Sequence, residues 1–523
     1  MLSMRVLIFH GYLLRGTGSN VYNANLAQAL ARLGHDVHML CQDLQAASLP
    51  WVDAVGTWDG GEPAVEPTSD SGSAGSEGPG SITAYLPDIG GLLPTYVADS
   101  YEGFRARTFP ELSEDEVESY VAANVAAVRD VAELAGGVDA ALANHLVMGP
   151  VILARAGLPF AAKIHGSALS YTVIPHPRFL PYALEGMEAA RAVLVGSRHT
   201  AESLWETLDL PGLRERTRLG PPGVDVRAFS PLDRPAEAAA EIERVASAIE
   251  AAPPDSGSGF GRDPGLAVAG LREYAAAEGS RVIFVGKLIV SKGCDLLLAA
   301  WPLVVAQDPG ARLLLIGFGE YKETLERLWG ALVAGDVEDA REVARLGWAL
   351  EGGEEGPLRF LSAFLDDLPD GYLEAAAAAA GTVSLAGRLE YGEVAHVVRA
   401  SDAMVVPSTF PEAFGMVAAE AAATGALPVC ARHSGLAEVA AVLDDALPAE
   451  LAGLTTFGLG PGAVAEIAAR LTRWLSMPPR ERAAAEAVLV EEVRSRWSWE
   501  GVAEAVIAAS GGELGALDEV PAG

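Results

Sequence analysis

The chain has 523 residues, 50% of them hydrophobic and 20% charged, and its 37 basic against 70 acidic residues give a formal charge of −33. That length exceeds what one core can organise and asks for two or three domains. The acidic field repels nucleic acid and anionic membrane surfaces, so a phosphate-bearing ligand has to be met by a local pocket.

Three scattered cysteines, Cys41, Cys294 and Cys430, form no CxxC pair and argue against both a disulfide framework and a thiolate zinc site. The opening MLSMRVLIFHGY is too short an apolar run for a signal peptide or a membrane span, and a soluble cytoplasmic protein is expected.

In the first half, short continuous apolar runs predict strands at 5–11, 37–41, 140–145, 160–166 and 192–197. Continuous β-branched and leucine runs indicate strands buried on both faces, and interleaved helical patterns indicate parallel α/β sheets. After the first strand comes a glycine loop, Gly16-Thr17-Gly18, and then a helix. It is not a dinucleotide fingerprint: Val21 stands where the third glycine of GxGxxG is needed, and no acid ends the second strand. Asn144 and His145 end one predicted strand and His165 another, so polar groups converge on one sheet edge. The segment 59–81, acidic and rich in Gly, Ser and Pro, reads as disordered.

From about 231 to 279 the α/β rhythm lapses into a helical stretch and the turn-rich PPDSGSGFGRDPG, which reads as a linker or insertion. The second half then predicts strands at 281–287, 311–317, 383–387, 403–408 and 427–432, with added helical sequence at 331–380. The fold class expected is α/β, two doubly wound Rossmann-like domains facing a central cleft: residues 1–230, then 280–480, with 481–523 returning to the first domain.

In open parallel sheets, ligands bind at the C-terminal edge of the strands. TFPEAFG lies at such an edge, and a helix follows from about Phe414 or Gly415. The first amides, at Gly415, Met416 and Val417, have no intrahelical partner and suit an anion. Glu412 precedes this helix start and Glu420 lies about 8 Å along the axis beyond it. The two carboxylates thus bracket an anion site and can accept hydrogen bonds from hydroxyls, the layout of a nucleotide diphosphate-sugar. VGKLIVSKG adds Gly286, Lys287 and Lys292, two cations able to neutralise a diphosphate and stabilise it as a leaving group. Gly317 and Gly319 in LLLIGFGE repeat a close-approach theme.

Taken together, GYLLRGTGSN, IHGS, PPGVDVRAFSP, VGKLIVSKG, LLIGFGE and the E-x7-E stretch FPEAFGMVAAEAAATGALPV resemble the retaining GT-B glycosyltransferases of family four. The resemblance covers most of the chain outside 59–81, 232–279, 331–380 and the tail. It implies that Glu412 contacts the donor sugar and Glu420 the ribose, that Lys287 and Lys292 hold the pyrophosphate, and that His165 touches the transferred sugar. Gly16, Thr17, Gly18, Asn144 and His145 would line the acceptor or phosphate side. It further implies retention of anomeric configuration, no metal and no cofactor, the nucleotide sugar being a co-substrate, with a sugar, glycan or small-molecule hydroxyl as acceptor. Lys287 stands where many members carry arginine, and PPG replaces PNG. A sugar-nucleotide epimerase, a glycan phosphorylase or a non-catalytic nucleotide-sugar-binding protein are the alternatives. Base, sugar, acceptor and oligomeric state are not legible.

Overall fold

The computed structural model describes residues 3–16, 18–59, 61–68, 79–96, 101, 103–233, 235–252, 262–351 and 356–521. The chain divides into two compact units, Met1–Gly223 with Trp497–Gly523, and Val224–Arg496.

The first unit contains β1 Arg5–Phe9, β2 Asp36–Leu40, β3 Ala54–Asp59, β4 Glu62–Pro67, β5 Ser81–Leu86, β6 Leu92–Thr95, β7 Arg105–Thr108, β8 Ala140–Asn144, β9 Ala161–Ile164, β10 Ala192–Val195 and β11 Thr217–Leu219. Its main sheet runs β11-β10-β9-β8-β1-β2-β5-β3-β4. All neighbours are parallel except β3 and β4. Alternate side chains of the central strands serve opposite cores. Leu7 and Phe9 pack with Ala141, Ala143, Val193 and Val195 on one face. Val6 and Ile8 pack with Leu142, Leu194, Tyr22 and Trp499 on the other. Burial on both faces is why these strands read as continuous apolar runs. The strand order reverses between β1 and β8, which opens a crevice at their C-terminal ends.

The second unit contains β12 Arg281–Val285, β13 Arg312–Ile316, β14 Val383–Gly387, β15 Ala403–Val406, β16 Leu427–Ala431 and β17 Thr456–Phe457. They form one parallel sheet in the order β14-β13-β12-β15-β16-β17, reversing between β12 and β15. Two parallel α/β units are thus present, as the strand pattern implies.

Three segments differ from the sequence expectation. Within 59–81, Glu62–Pro67 is the antiparallel edge strand β4, whereas 69–78 lies outside the described residues. An edge position tolerates Pro63 and Pro67, which made the stretch look unstructured. The adjoining β3 is anchored by Trp58, whose indole N–H donates to Asp130 at 2.9 Å. The segment expected as a linker supplies two helices, Ala238–Ala251 and Pro264–Ala275, to the second unit. Ile242, Ala246 and Ile249 are buried, and a Cβ at Gly270 would stand 2.2 Å from the Leu385 carbonyl, so the second helix lies directly on β14. The helix Pro479–Arg496 also belongs to the second unit, and only Trp497–Gly523 belongs to the first.

Within the first unit the helix Trp499–Gly511 is held by its first residue. Trp499 is 2% exposed, meets Tyr22 edge-on at 5.4 Å and leaves no room for a side chain at Gly223, where a Cβ would come within 2.6 Å of the indole. Among the described residues no helix is long and apolar enough to cross a membrane. Trp499→Ala is expected to destabilise the first unit by about 3–5 kcal/mol, read as a lowered denaturation midpoint with the second unit's transition unchanged.

Candidate functional site

The second unit's reversal point brings β12 and β15 side by side, and the loops leaving them carry the charges. Lys292 lies in the short 3-10 turn Val290–Lys292, and Gly293 follows it in the left-handed region at φ 65°. A Cβ at Gly293 would stand 2.1 Å from the Pro407 carbonyl, so glycine is what lets the two loops close on each other. The Thr409 amide then donates to the Ser291 carbonyl at 2.8 Å. This clamp delivers Lys292 Nζ to Glu412 Oε1, where the two form an ion pair. Ser408 Oγ donates to the same oxygen at 2.7 Å, and the Glu412 amide donates to Ser434 Oγ at 2.9 Å. His433 completes the ring: its Nε2 donates to the Ser408 carbonyl at 2.6 Å, and its Nδ1 lies 3.1 Å from Ser434 Oγ.

Burial pulls the Glu412 carboxyl upward, but the charge and hydrogen bond of Lys292, with help from Ser408, outweigh it and leave Glu412 below the ordinary carboxylate range. The side chains keep about a quarter of their surface exposed, 29% for Lys292 and 25% for Glu412, so the pair faces solvent rather than a closed core. Lys287 follows Gly286 directly after β12 and is half-buried.

Glu420 is different. It sits in the helix Met416–Thr424, 5% exposed, and accepts from the Tyr391 hydroxyl at 3.0 Å. Burial pushes its carboxyl up to about 7, against the Tyr391 hydrogen bond and with a further upward push from Asp225. Tyr391 is itself placed by an edge-on contact with Phe229 at 5.2 Å. Between the two carboxylates the helix begins. Gly415 is its N-cap at φ 123°, where a Cβ would strike Leu436, and the Ala418 amide makes the first intrahelical bond, to the Gly415 carbonyl at 3.0 Å. The amides of Met416 and Val417 precede that bond, as a helix N-terminus requires. Phe414 is buried. One acid held ionised and one held near neutrality, on either side of a helix tip, is a pairing of unlike carboxyls typical of functional sites.

Gly317 and Gly319 have a structural explanation. A Cβ at Gly317 would stand 1.8 Å from the Gly286 carbonyl, and one at Gly319 would stand 2.3 Å from that of Leu288. The exits of β12 and β13 are laced together, Gly286 N donating to Ile316 at 3.0 Å and Leu288 N to Phe318 at 2.8 Å. Close backbone contact within the protein therefore already requires both glycines.

At the first unit's reversal point a buried polar cluster stands at the ends of β1, β8 and β9. His10 is 1% exposed. Its Nδ1 faces Asn23 Nδ2 at 3.0 Å, and its Nε2 faces the Leu13 carbonyl at 2.9 Å and Asn20 Oδ1 at 3.0 Å. Burial lowers its imidazole to about 4. Asn144 exchanges hydrogen bonds with Asn23 and receives His165 Nε2 at 2.8 Å on its Oδ1. His145, at φ 68°, packs on Tyr96 at 4.7 Å and on His165 at 4.9 Å, and both its ring nitrogens are buried without a partner among the described residues. His145 thus presents no accessible nitrogen. Gly16 precedes the helix Gly18–Arg32 at φ 101°, a Cβ at Gly18 would meet open space, and Thr17 lies outside the described residues.

Sequence reasoning located Lys292, Glu412, Asn144 and His165 at strand ends, with Gly415 at a helix start and Glu420 farther along that helix, but did not single out Ser408, His433, Ser434, Tyr391, Asn23 or His10. Ser408 and His433 each follow a strand at the same sheet edge, a positional signal that was available. His10 directly follows β1 and Ser434 adjoins His433, whereas Asn23 and Tyr391 arrive from the helices Gly18–Arg32 and Tyr391–Val398. Among the described residues no cluster of three or more His, Cys, Asp or Glu could hold a metal ion.

Residues 372–488 match the family model for glycosyl transferases group 1, and 279–349 match a second model of the same description. A GDP-mannose-dependent monoacylated alpha-(1-6)-phosphatidylinositol monomannoside mannosyltransferase of Corynebacterium glutamicum is 29% identical over 224 residues, which is 42% of this chain and 43% of that protein. The match thus spans less than half of that relative. A D-inositol 3-phosphate glycosyltransferase of Frankia alni is 26% identical over 407 residues, 75% of this chain and 80% of that one. The crystal structure of Anabaena HepE in complex with UDP and glucose superposes with a TM-score of 0.55 at 14% identity, covering 96% of this chain and 98% of that one. The fold is GT-B. Both matched segments lie in the second unit, and together they contain Lys287, Lys292, Tyr391, Glu412, Glu420 and His433.

The Glu420 environment has a consequence for stability. A carboxyl raised on folding costs stability that is fully present above its folded value and vanishes below its unfolded one. Glu420→Gln is therefore expected to raise the second unit's stability at pH 8, by up to about 3 kcal/mol, and to change it little near pH 4. Thermal melts across that range would read the difference, and an equal effect at both ends would contradict it.

Proposed function

We propose that this protein is a glycosyltransferase that moves a sugar from a nucleotide diphosphate-sugar to a hydroxyl acceptor, with retention of configuration and without a metal or a resident cofactor. The observation that carries the proposal is the second unit's reversal point, where Lys292 pairs with Glu412, a helix begins at Gly415 and Glu420 lies beyond it. These groups fall within the segments that match group 1 glycosyl transferases.

In this reading the Gly415–Val417 amides, Lys287 and Lys292 hold the diphosphate. Preorganised donors aimed at a leaving group lower the barrier because charge grows there as the glycosidic bond breaks. Glu412, kept ionised by Lys292, accepts hydrogen bonds from the donor sugar, while Glu420 and Tyr391 serve the ribose hydroxyls. Retention follows if the acceptor enters on the face from which the diphosphate leaves. The departing phosphate oxygen then takes the acceptor's proton, so the step balances without a side-chain base. Membership of family four is part of the same proposal, supported by the E-x7-E spacing.

The relatives' names set the first substrates to try: GDP-mannose and UDP-glucose as donors, and D-inositol 3-phosphate among the acceptors. The ion pair sharpens the mutational test. Glu412→Ala is expected to remove most transfer while leaving the bare nucleoside diphosphate bound at least as tightly, because Lys292 is released from its intramolecular partner. Lys292→Ala is expected to weaken that diphosphate by about 1–3 kcal/mol. Calorimetric titration of both variants distinguishes these outcomes, and near-normal transfer by Glu412→Ala would contradict the assignment. The anomeric configuration of the product, read by NMR, tests retention.

A further inference from the structure

The polar cluster at the first unit's reversal point contains two amides whose orientations are fixed by groups that can only accept. Asn144 Nδ2 donates to the Phe9 carbonyl at 3.1 Å and to Asn23 Oδ1 at 2.8 Å. Turning the amide over would set its oxygen against the Phe9 oxygen, so Oδ1 must face the other way, toward His165. Asn23 is fixed in the same manner, its Nδ2 donating to the Ser19 carbonyl at 2.8 Å. With Asn144 Oδ1 an acceptor, the ring nitrogen lying 2.8 Å from it, His165 Nε2, must carry the proton. The opposite nitrogen, Nδ1, has no protein partner among the described residues, and on this half-buried side chain it is not shut off from solvent.

We propose that Asn144, backed by Asn23, is a positioning residue that locks His165 in the Nε2–H form, so that its open Nδ1 can only accept a hydrogen bond from a substrate hydroxyl. The role of His165 toward substrate rests on the proposed glycosyltransferase function; the tautomer does not. The surroundings reinforce the neutral ring. His145 at 4.9 Å and Tyr22 at 5.0 Å pack against it, and His10 and Lys163 are the remaining titratable groups that act on it. Burial first, then repulsion from the protonated forms of His145, Lys163 and His10, holds His165 well below the usual histidine range. Lys163 is itself lowered to about 7 by burial, with its ammonium donating to the Gly220 carbonyl at 2.5 Å. Among these neighbours there is no carboxylate, so the site favours an uncharged acceptor nitrogen.

Long-range nitrogen–proton correlation spectra of the ligand-free protein with labelled histidine test the claim, with His165→Gln used to assign its ring. The expected result is a neutral ring protonated at Nε2 throughout the neutral range. Asn144→Asp places a carboxylate oxygen at the same atom and a second one against the Phe9 carbonyl, a repulsion expected to lower its melting temperature. Its His165 should become an imidazolium, protonated at Nδ1 as well. Transfer by this variant, with whichever of UDP-glucose or GDP-mannose the wild type turns over, should then fall about tenfold on the acid side of the new titration and recover above it. The wild type should lack that acid limb. An Nδ1–H or cationic wild-type ring would overturn the proposal, as would an imidazolium in Asn144→Asp with an unchanged pH profile. Failure of the wild type to turn over either donor would count against the proposed function, while the spectra still decide the tautomer.

Discussion

The ion pair between Lys292 and Glu412 is the constraint on which the rest of the second unit's site depends. Neither residue is near the other in sequence. They meet because β12 and β15 are neighbours across a strand-order reversal, and because Gly293 lets the two exit loops approach to backbone contact. The pair decides the state of both partners. Glu412 stays ionised despite its burial, and the Lys292 ammonium is held on its carboxylate. Ser408 braces the carboxylate, Ser434 holds the Glu412 amide and His433 holds the Ser408 carbonyl, so the position of Glu412 does not depend on a ligand being present.

The two glutamates of the E-x7-E stretch therefore do different chemistry, although the sequence writes them alike. Glu412 is charged because a cation compensates it, and Glu420 is held near neutrality because nothing but a tyrosine hydroxyl does. An ionised acid accepts strongly from sugar hydroxyls. A carboxyl poised near 7 can accept or donate as its partner requires. Under the proposed function this division assigns the sugar end and the ribose end to acids of different character, with the helix tip at Gly415 between them.

Much of this was legible in the sequence, for physical reasons. Strands buried on both faces leave continuous apolar runs, and every run singled out at 5–11, 37–41, 140–145, 160–166, 192–197, 281–287, 311–317, 383–387, 403–408 and 427–432 contains a strand. Other strands were not legible: the interior β5 and the edge strands β4, β11 and β17 were not singled out, whereas the edge strand β14 was. β4 carries two prolines and an acidic, glycine-rich context, and only its antiparallel pairing with β3 reveals it. The glycines at 317 and 319 were visible as an anomaly, but their cause was not: they clear neighbouring carbonyls. The Lys292–Glu412 contact and the tautomer of His165 were beyond reach of the sequence. Each depends on which loop ends are brought together, and on amide orientations that only neighbouring carbonyls fix.

The most direct measurement of the central claim is a crystal structure of the protein soaked with UDP-glucose or GDP-mannose, whichever stabilises it. The account predicts the diphosphate against Lys292 and the Gly415–Val417 amides, with the ribose hydroxyls at Glu420 and the sugar at Glu412. A nucleotide bound elsewhere, with the Lys292–Glu412 pair undisturbed and its surroundings empty, would contradict it.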